Sequence, residues 1–136
     1  MEPRGIRNNN PLNIRKGNNW KGERPIQKDR AFEEFQSMEY GVRAGFIILR
    51  KYITGYNGLC DKINTIDKII KRWAPASENN TEAYINQVVT FTGIPRYRKI
   101  AFGDRNLMVA LVDAMIRVEC GVSIDRKIIE SGYDMI

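Results

Sequence analysis

LMVALVDAMIRVECG, residues 107–121, is the stretch whose pattern decides the architecture. Wound at about 100° per residue, Met108, Leu111, Val112, Met115 and Glu119 fall along one stripe, while Asp113 and Arg117 mark the opposite, wet face. A helix this apolar belongs at the centre of a domain. Asp104 or Asn106 supplies its N-cap and Gly121 its stop.

The same punctuation yields four more helices around it. One starts near Ser37 and runs through MEYGVRAGFIILRKYI, with Val42, Phe46, Leu49 and Ile53 on its apolar face, and ends at Gly55 to Gly58. Thr65 caps IDKIIKRW, which Pro75 stops just after Trp73. A third begins in ENNTEAY, where Asn79 and Glu82 have capping-box spacing, carries Ala83, Val88 and Phe91 on its apolar side and closes at Gly93. The last, from about Ser123 to Ser131, meets Gly132 as its stop. Ahead of them lies an irregular head, residues 1–36. There NNNPLNIRKGNNWKG mixes short extended pieces with Asn and Gly turns, and AFEEF alternates apolar and acidic residues as a hairpin would. The fold class that follows is mainly α with a small β element (α+β): about five helices beside an N-terminal β-hairpin lobe, in one domain spanning 1–136.

Composition narrows the chemistry. A chain of 136 residues with 43% apolar content has one real core. Its longest apolar runs fall far short of a bilayer span, and MEPRGIRNNN lacks the apolar centre of a signal peptide, so a soluble protein made in the cytoplasm is expected. Cys60 and Cys120 show no metal-ligand spacing and read as free thiols. Histidine is absent, which removes Ser-His-Asp and Cys-His nucleophiles and the commonest zinc ligand. No metal and no organic cofactor is implied, and any catalysis must lean on carboxylates. With 22 Lys and Arg against 16 Asp and Glu, the net charge of +6 favours an anionic partner: nucleic acid, a membrane face or an acidic cell wall.

Among the carboxylates, Glu119 sits in the apolar stripe and in the last helical turn. Burial and the negative end of the helix dipole both disfavour its charged form, as a general acid requires. The plainer alternative is that it bends out to water or pairs with an arginine. Glu39, with Arg43 at i+4, reads as a solvated ion pair; Glu82 has its capping role; Glu33 and Glu34 have no periodic reason to be buried. Flat rings stack on sugar faces and side-chain amides bond hydroxyl and N-acetyl groups. Asn10, Asn13, Trp20, Asn79, Thr81 and Tyr84 are therefore substrate-binding candidates. Turn formation by the asparagines and core filling by Trp73 and Tyr84 are the structural alternatives.

Five ordered blocks carry a resemblance: RGIRNNNPLNIR, WKG, FEEFQSMEYGVRA, WAPASENNTEAY and MIRVECG. Over nearly its whole length the chain resembles a family of phage and prophage virion structural or lytic proteins with a lysozyme-like fold. NPLNIR followed by WKG is also similar to the N-x-F-G-I-K and W-x-G stretch that lines the cleft of bacterial cell-wall glucosaminidases. There the glutamate helix precedes this block, whereas here Glu119 and Gly121 follow it, so a circularly permuted lysozyme-like core reconciles the two orders. Cys120 stands where the family usually shows a polar residue and Leu12 where it often shows Gly.

The resemblance implies a peptidoglycan-cleaving glycosidase or lytic transglycosylase with Glu119 as its acid, glycan strands as partner, and a place in the virion or at the cell wall. Two other classes stay open. One is a non-catalytic virion or wall-binding module of the same fold. The other, less favoured, is a nucleic-acid-binding domain, suggested by RKGNNWKGERPIQK and by RYRK at 96–99 but weakened by Glu23 and Asp29 within the basic run.

Overall fold

The computed structural model describes residues 2–55, 62–77 and 79–136. Among them are six helices: α1 (Arg4–Arg7), α2 (Met38–Thr54), α3 (Ile66–Trp73), α4 (Thr81–Thr92), α5 (Arg105–Cys120) and α6 (Arg126–Asp134). None is long and apolar enough to cross a membrane. The expected helix stop at Gly55 holds, since α2 ends at Thr54; the rest of that stop, Tyr56 to Gly58, lies outside the described residues, as does Cys60.

Helix α5 is central, as its composition requires. Met108, Val109, Leu111, Val112, Ala114, Met115, Ile116 and Cys120 are all buried, leaving only a narrow face where Asp113 and Arg117 approach at 3.6 Å. Its N-cap is Asp104, whose carboxylate accepts from the Leu107 N–H, and Gly121 closes it in the left-handed region at φ 70°. Around α5 pack α4, α6 and α1, with α3 against α4 and α2 against α6. Phe46, Leu49 and Ile53 of α2 are buried, and Tyr133 of α6 sets its ring edge-on to Phe46 at 5.3 Å.

Gly132 is not the expected stop of α6; the helix starts after Asp125 and runs on through Gly132 to Asp134. A Cβ at Gly132 would lie 2.5 Å from Val42 Cγ1 and 3.1 Å from the Arg43 backbone nitrogen. The glycine is there because α2 and α6 touch through it, which a propensity rule reads as termination. The capping box at Asn79 and Glu82 is also corrected. Asn80 caps α4 by accepting from Ala83 N–H, and Glu82 is drawn away to Arg96 at 2.6 Å. Arg96 also bonds the buried Asp67 of α3, so one guanidinium ties α3, α4 and the loop after α4 together. Phe91, expected on the apolar face, is 50% exposed with the Arg117 guanidinium 5.5 Å from its ring centre.

The head departs most from expectation. Instead of a hairpin, two isolated antiparallel bridges form, Arg15 with Phe32 and Glu23 with Phe35, and residues 4–7 make a single helical turn. Side chains take the backbone groups a ladder would use. Asp29 accepts from Ala31 N–H and Phe32 N–H; Glu34 accepts from Lys28 N–H and Asp29 N–H; Gln27 bonds both the N–H and the C=O of Glu34. These duties bury Glu34, and Glu33 beside it is only 4% exposed, against the alternation that AFEEF suggests.

Glu33 reaches the Glu23 carboxyl, and Glu33 Oε2 and Glu23 Oε1 are buried without other partners among the described residues. Burial first, then the Glu23 carboxyl, push Glu33 from 4.5 up to about 7, with Lys16 opposing. Within that window the folded chain keeps a proton that the unfolded chain has released, so stability falls as pH rises through it. Glu33→Gln keeps a donor toward Glu23 and cannot ionise. Urea unfolding should therefore show a variant less sensitive than wild type between pH 5 and 8, and more stable at pH 8. An unchanged pH slope would remove this account.

Candidate functional site

Pro11 and Leu12 carry the head over the C-terminal end of α5, and the buried Cys120 thiol donates to Pro11 C=O at 3.2 Å. Burial pushes that thiol up to about 11, so it serves as a neutral tether. Two residues on, Asn13 sits at φ 53°, a left-handed conformation that asparagine tolerates better than most side chains. Asn10 holds the turn from inside. Fully buried, it accepts from Ile14 N–H and donates to the carbonyls of Ile14 and Glu33. With its amide spent on the fold, Asn10 is not among the residues that line the cleft.

The turn aims Asn13 at Glu119. Asn13 Nδ2 donates to Glu119 Oε1 at 3.1 Å, and Tyr84 Oη, from the first turn of α4, donates to Glu119 Oε2 at 2.9 Å. Trp73, whose indole N–H is its one donor, adds a third hydrogen-bonding influence. Burial raises Glu119 above its ordinary value; Asn13, Tyr84 and Trp73 pull the other way, and burial prevails. Tyr84 is itself pushed well up, by burial and then by the Glu119 charge, so it stays a donor.

Tyr84→Phe removes a bond that favours the ionised carboxylate. The Glu119 titration midpoint, followed by carboxyl-carbon NMR, should move further up, at a cost of about 1–2 kcal/mol in stability at neutral pH. A midpoint that stays put would show that Tyr84 does not govern the acid.

Glu119 opens on a hollow of about 190 Å³ lined by Leu12, Asn13, Arg15, Phe32, Trp73, Ala74 and Asn79. A second hollow, about 230 Å³, adjoins it through Asn13, Arg15 and Trp73 and extends to Asn18, Ile48 and Tyr52. On the other side Asn79 is shared with a third, about 470 Å³, that runs past Pro75 and Thr81 to Lys71. Although the third is the largest, the carboxylate belongs to the middle one. Among the described residues, Glu119 is the only acidic one lining that middle hollow.

Of the sequence candidates, Glu119, Asn13, Asn79 and Tyr84 are thus brought together. Thr81 lines the third hollow, but its buried hydroxyl donates to Ala74 C=O at 2.5 Å. Trp20 packs half-buried against the core, its indole nitrogen buried without a partner among the described residues, and lines none of the three hollows. Sequence reasoning missed Arg15 and Phe32 and weighed Trp73 only as core. In fact Trp73 lines two hollows and sets its ring edge-on to Tyr52 at 6.3 Å. A tryptophan in the last turn of an amphipathic helix, two residues before a proline stop, was the available signal.

Fold and site together define a mainly helical protein whose irregular head closes a polar, aromatic-lined groove over a half-buried glutamate. No protein-family model matches the chain. Protein P5 of Pseudoalteromonas phage PM2 is 45% identical to it over 122 aligned residues, and the match covers 87% of this chain and 71% of that protein. The chain belongs to the phage protein family that includes Protein P5.

Proposed function

We propose that the groove takes a peptidoglycan glycan strand and that Glu119 is the general acid that cuts it. The observation that carries this reading is the position of Glu119 in the middle of three adjoining hollows, with space for polymer on both sides. Amides and rings along the groove, from Asn13, Asn18, Asn79, Phe32, Tyr52 and Trp73, suit N-acetylated sugars. The fold proposed with it is lysozyme-like and circularly permuted. Its support is that the NPLNIR block, early in the chain, bonds the glutamate at the end of α5 through Asn13.

In the reaction, protonated Glu119 gives its proton to the glycosidic oxygen as the bond to the anomeric carbon breaks, leaving an oxocarbenium-like centre. With one carboxylate lining the middle hollow among the described residues, capture of that centre by a hydroxyl oxygen of the sugar itself, whose proton passes to the now ionised Glu119, is favoured over attack by a second enzymic carboxylate. Lytic transglycosylation is accordingly put ahead of hydrolysis. Activity should fall as pH rises through the Glu119 value, since the proton donor is lost. Such a protein would reach the wall as part of the virion or through phage lysis machinery.

A second reading rests on a specific contact. Both Glu119 oxygens already bond partners from the chain, Asn13 and Tyr84, as a carboxylate retained to clamp head to helices would. The domain would then bind wall without cutting it. A nucleic-acid role draws less support, because Arg96 of the basic run is spent on Asp67 and Glu82. Incubation with isolated sacculi, followed by mass spectrometry of the soluble fraction, separates the readings. Anhydro-ended fragments support the acid and internal capture; reducing ends replace transglycosylation by hydrolysis. Saturable binding with no release overturns the enzyme in favour of the binding module.

A further inference from the structure

Arg15 stands on the seam between two of the hollows and lines both, together with Asn13 and Trp73. Its side chain is exposed, and its guanidinium carbon lies 5.0 Å from the centre of the Phe32 ring. Among the described residues Arg4, Arg24, Arg96, Arg105 and Arg117 each reach a carboxylate within ion-pair distance, whereas no such pair forms at Arg15. Arg4 approaches the same ring, at 4.5 Å, but its charge is met by Asp29. A ring orients a guanidinium without neutralising it, so the Arg15 fork is held in the groove with its hydrogen-bonding capacity unspent on the described residues.

We propose that Arg15 reads the charge of the strand by taking a carboxylate carried on the glycan. This rests on the peptidoglycan reading above. In such a strand alternate sugars bear a lactyl ether, whose carboxylate is free or joined to a peptide that brings carboxylates of its own. Both sources present the planar acceptor that a guanidinium fork matches with two parallel bonds. The neighbouring sugar would lie against Trp73 and Asn13, which places the carboxylate one residue's width from the bond above Glu119. Arg15 is then a specificity residue that distinguishes wall glycan from uncharged N-acetylglucosamine polymers and has no part in proton transfer.

The experiment compares wild type, Arg15→Gln and Arg15→Lys for binding to glycan strands in three forms. These are strands with stem peptides, strands stripped of peptide so that lactyl carboxylates are free, and stripped strands with those carboxylates converted to methylamides. Wild type should lose affinity about tenfold between the second and third forms, while Arg15→Gln binds both equally and at the weakened level. Arg15→Lys should keep part of the discrimination, and unchanged circular dichroism would show that the variants remain folded. Discrimination by Arg15 that appears only with the peptide-bearing strands assigns the carboxylate to the peptide. The proposal is overturned if Arg15→Gln still discriminates as wild type does, or if wild type does not discriminate among the forms. In those cases strand binding by wild type leaves the peptidoglycan reading standing. Absence of wild-type binding to every form overturns both.

Discussion

Glu119→Gln is expected to lower fragment release from sacculi by roughly 10²- to 10⁴-fold, the usual contribution of a positioned general acid, while strand binding survives. The amide is close in size to the protonated acid but has no proton to give. Its surroundings can accept it: the carbonyl oxygen takes the Tyr84 hydroxyl, and Asn13 can turn its amide so that Oδ1 accepts from the new NH₂. A second readout is independent of turnover. Because the folded chain holds Glu119 above its ordinary value, this group's contribution to stability falls as pH rises through its titration. The variant has no charge to bury, so its thermal midpoint should depend less on pH than wild type does and equal or exceed it at alkaline pH. Loss of activity with gain of stability is the signature of a group kept against the fold's preference. If release continues at the wild-type rate, Glu119 is not the acid. If release is lost and the midpoint also drops at every pH, the residue is the structural clamp of the second reading.

The helical body was legible because its signals are local. Thr65 and Pro75 bracket α3, Gly93 and Gly121 end α4 and α5, and the stripe from Met108 to Glu119 lies on the buried side of the helix that the other elements surround. Two kinds of position defeated the reading. Gly132 sits inside a helix where the backbone of another segment comes within contact distance, and a sequence shows only a weak helix former there. In the head, Asp29, Glu34 and Gln27 replace a strand ladder with side-chain bonds to backbone groups near in the chain, so acidic residues that alternate like a solvated edge are buried instead.

At the site the division follows the same line. Glu119 could be singled out from periodicity and helix polarity, both properties of its own helix. Its partners could not be ranked, since Asn10 and Asn13 lie in one asparagine-rich turn and differ only in direction: Asn10 points inward to Ile14 and Glu33, Asn13 outward to the acid. Arg15 and Phe32 meet across an isolated bridge between segments seventeen residues apart, a pairing with no local signal. What joins head to body, and so makes the groove, is therefore tertiary.

That joint supplies the last prediction. Helix propensity alone says that Gly41→Ala, in the first turn of α2, should stabilise by up to about 1 kcal/mol. The structure predicts the opposite. A Cβ at Gly41 would fall 1.9 Å from the carbonyl oxygen of Asn9 and 3.2 Å from Pro11 Cδ. Neither can move freely, because Asn9 is held at φ 52° with its side chain bonded to Phe35 C=O, and the next residue is the buried Asn10. Relief requires the head to lift from α2, with an expected net loss of about 1–3 kcal/mol. Because Asn13 is carried on the same turn, lifting should both weaken its bond to Glu119 and admit water to the carboxylate; burial is the larger influence, so the Glu119 titration should move down toward its ordinary value along with the fall in stability. Gly103→Ala, where a Cβ meets nothing within 4 Å, serves as the control and should change stability by less than about 0.5 kcal/mol. Denaturant unfolding of the two variants decides the matter. A Gly41→Ala protein more stable than wild type would mean that the head does not rest on α2 as described, and the groove over Glu119 would lose its floor.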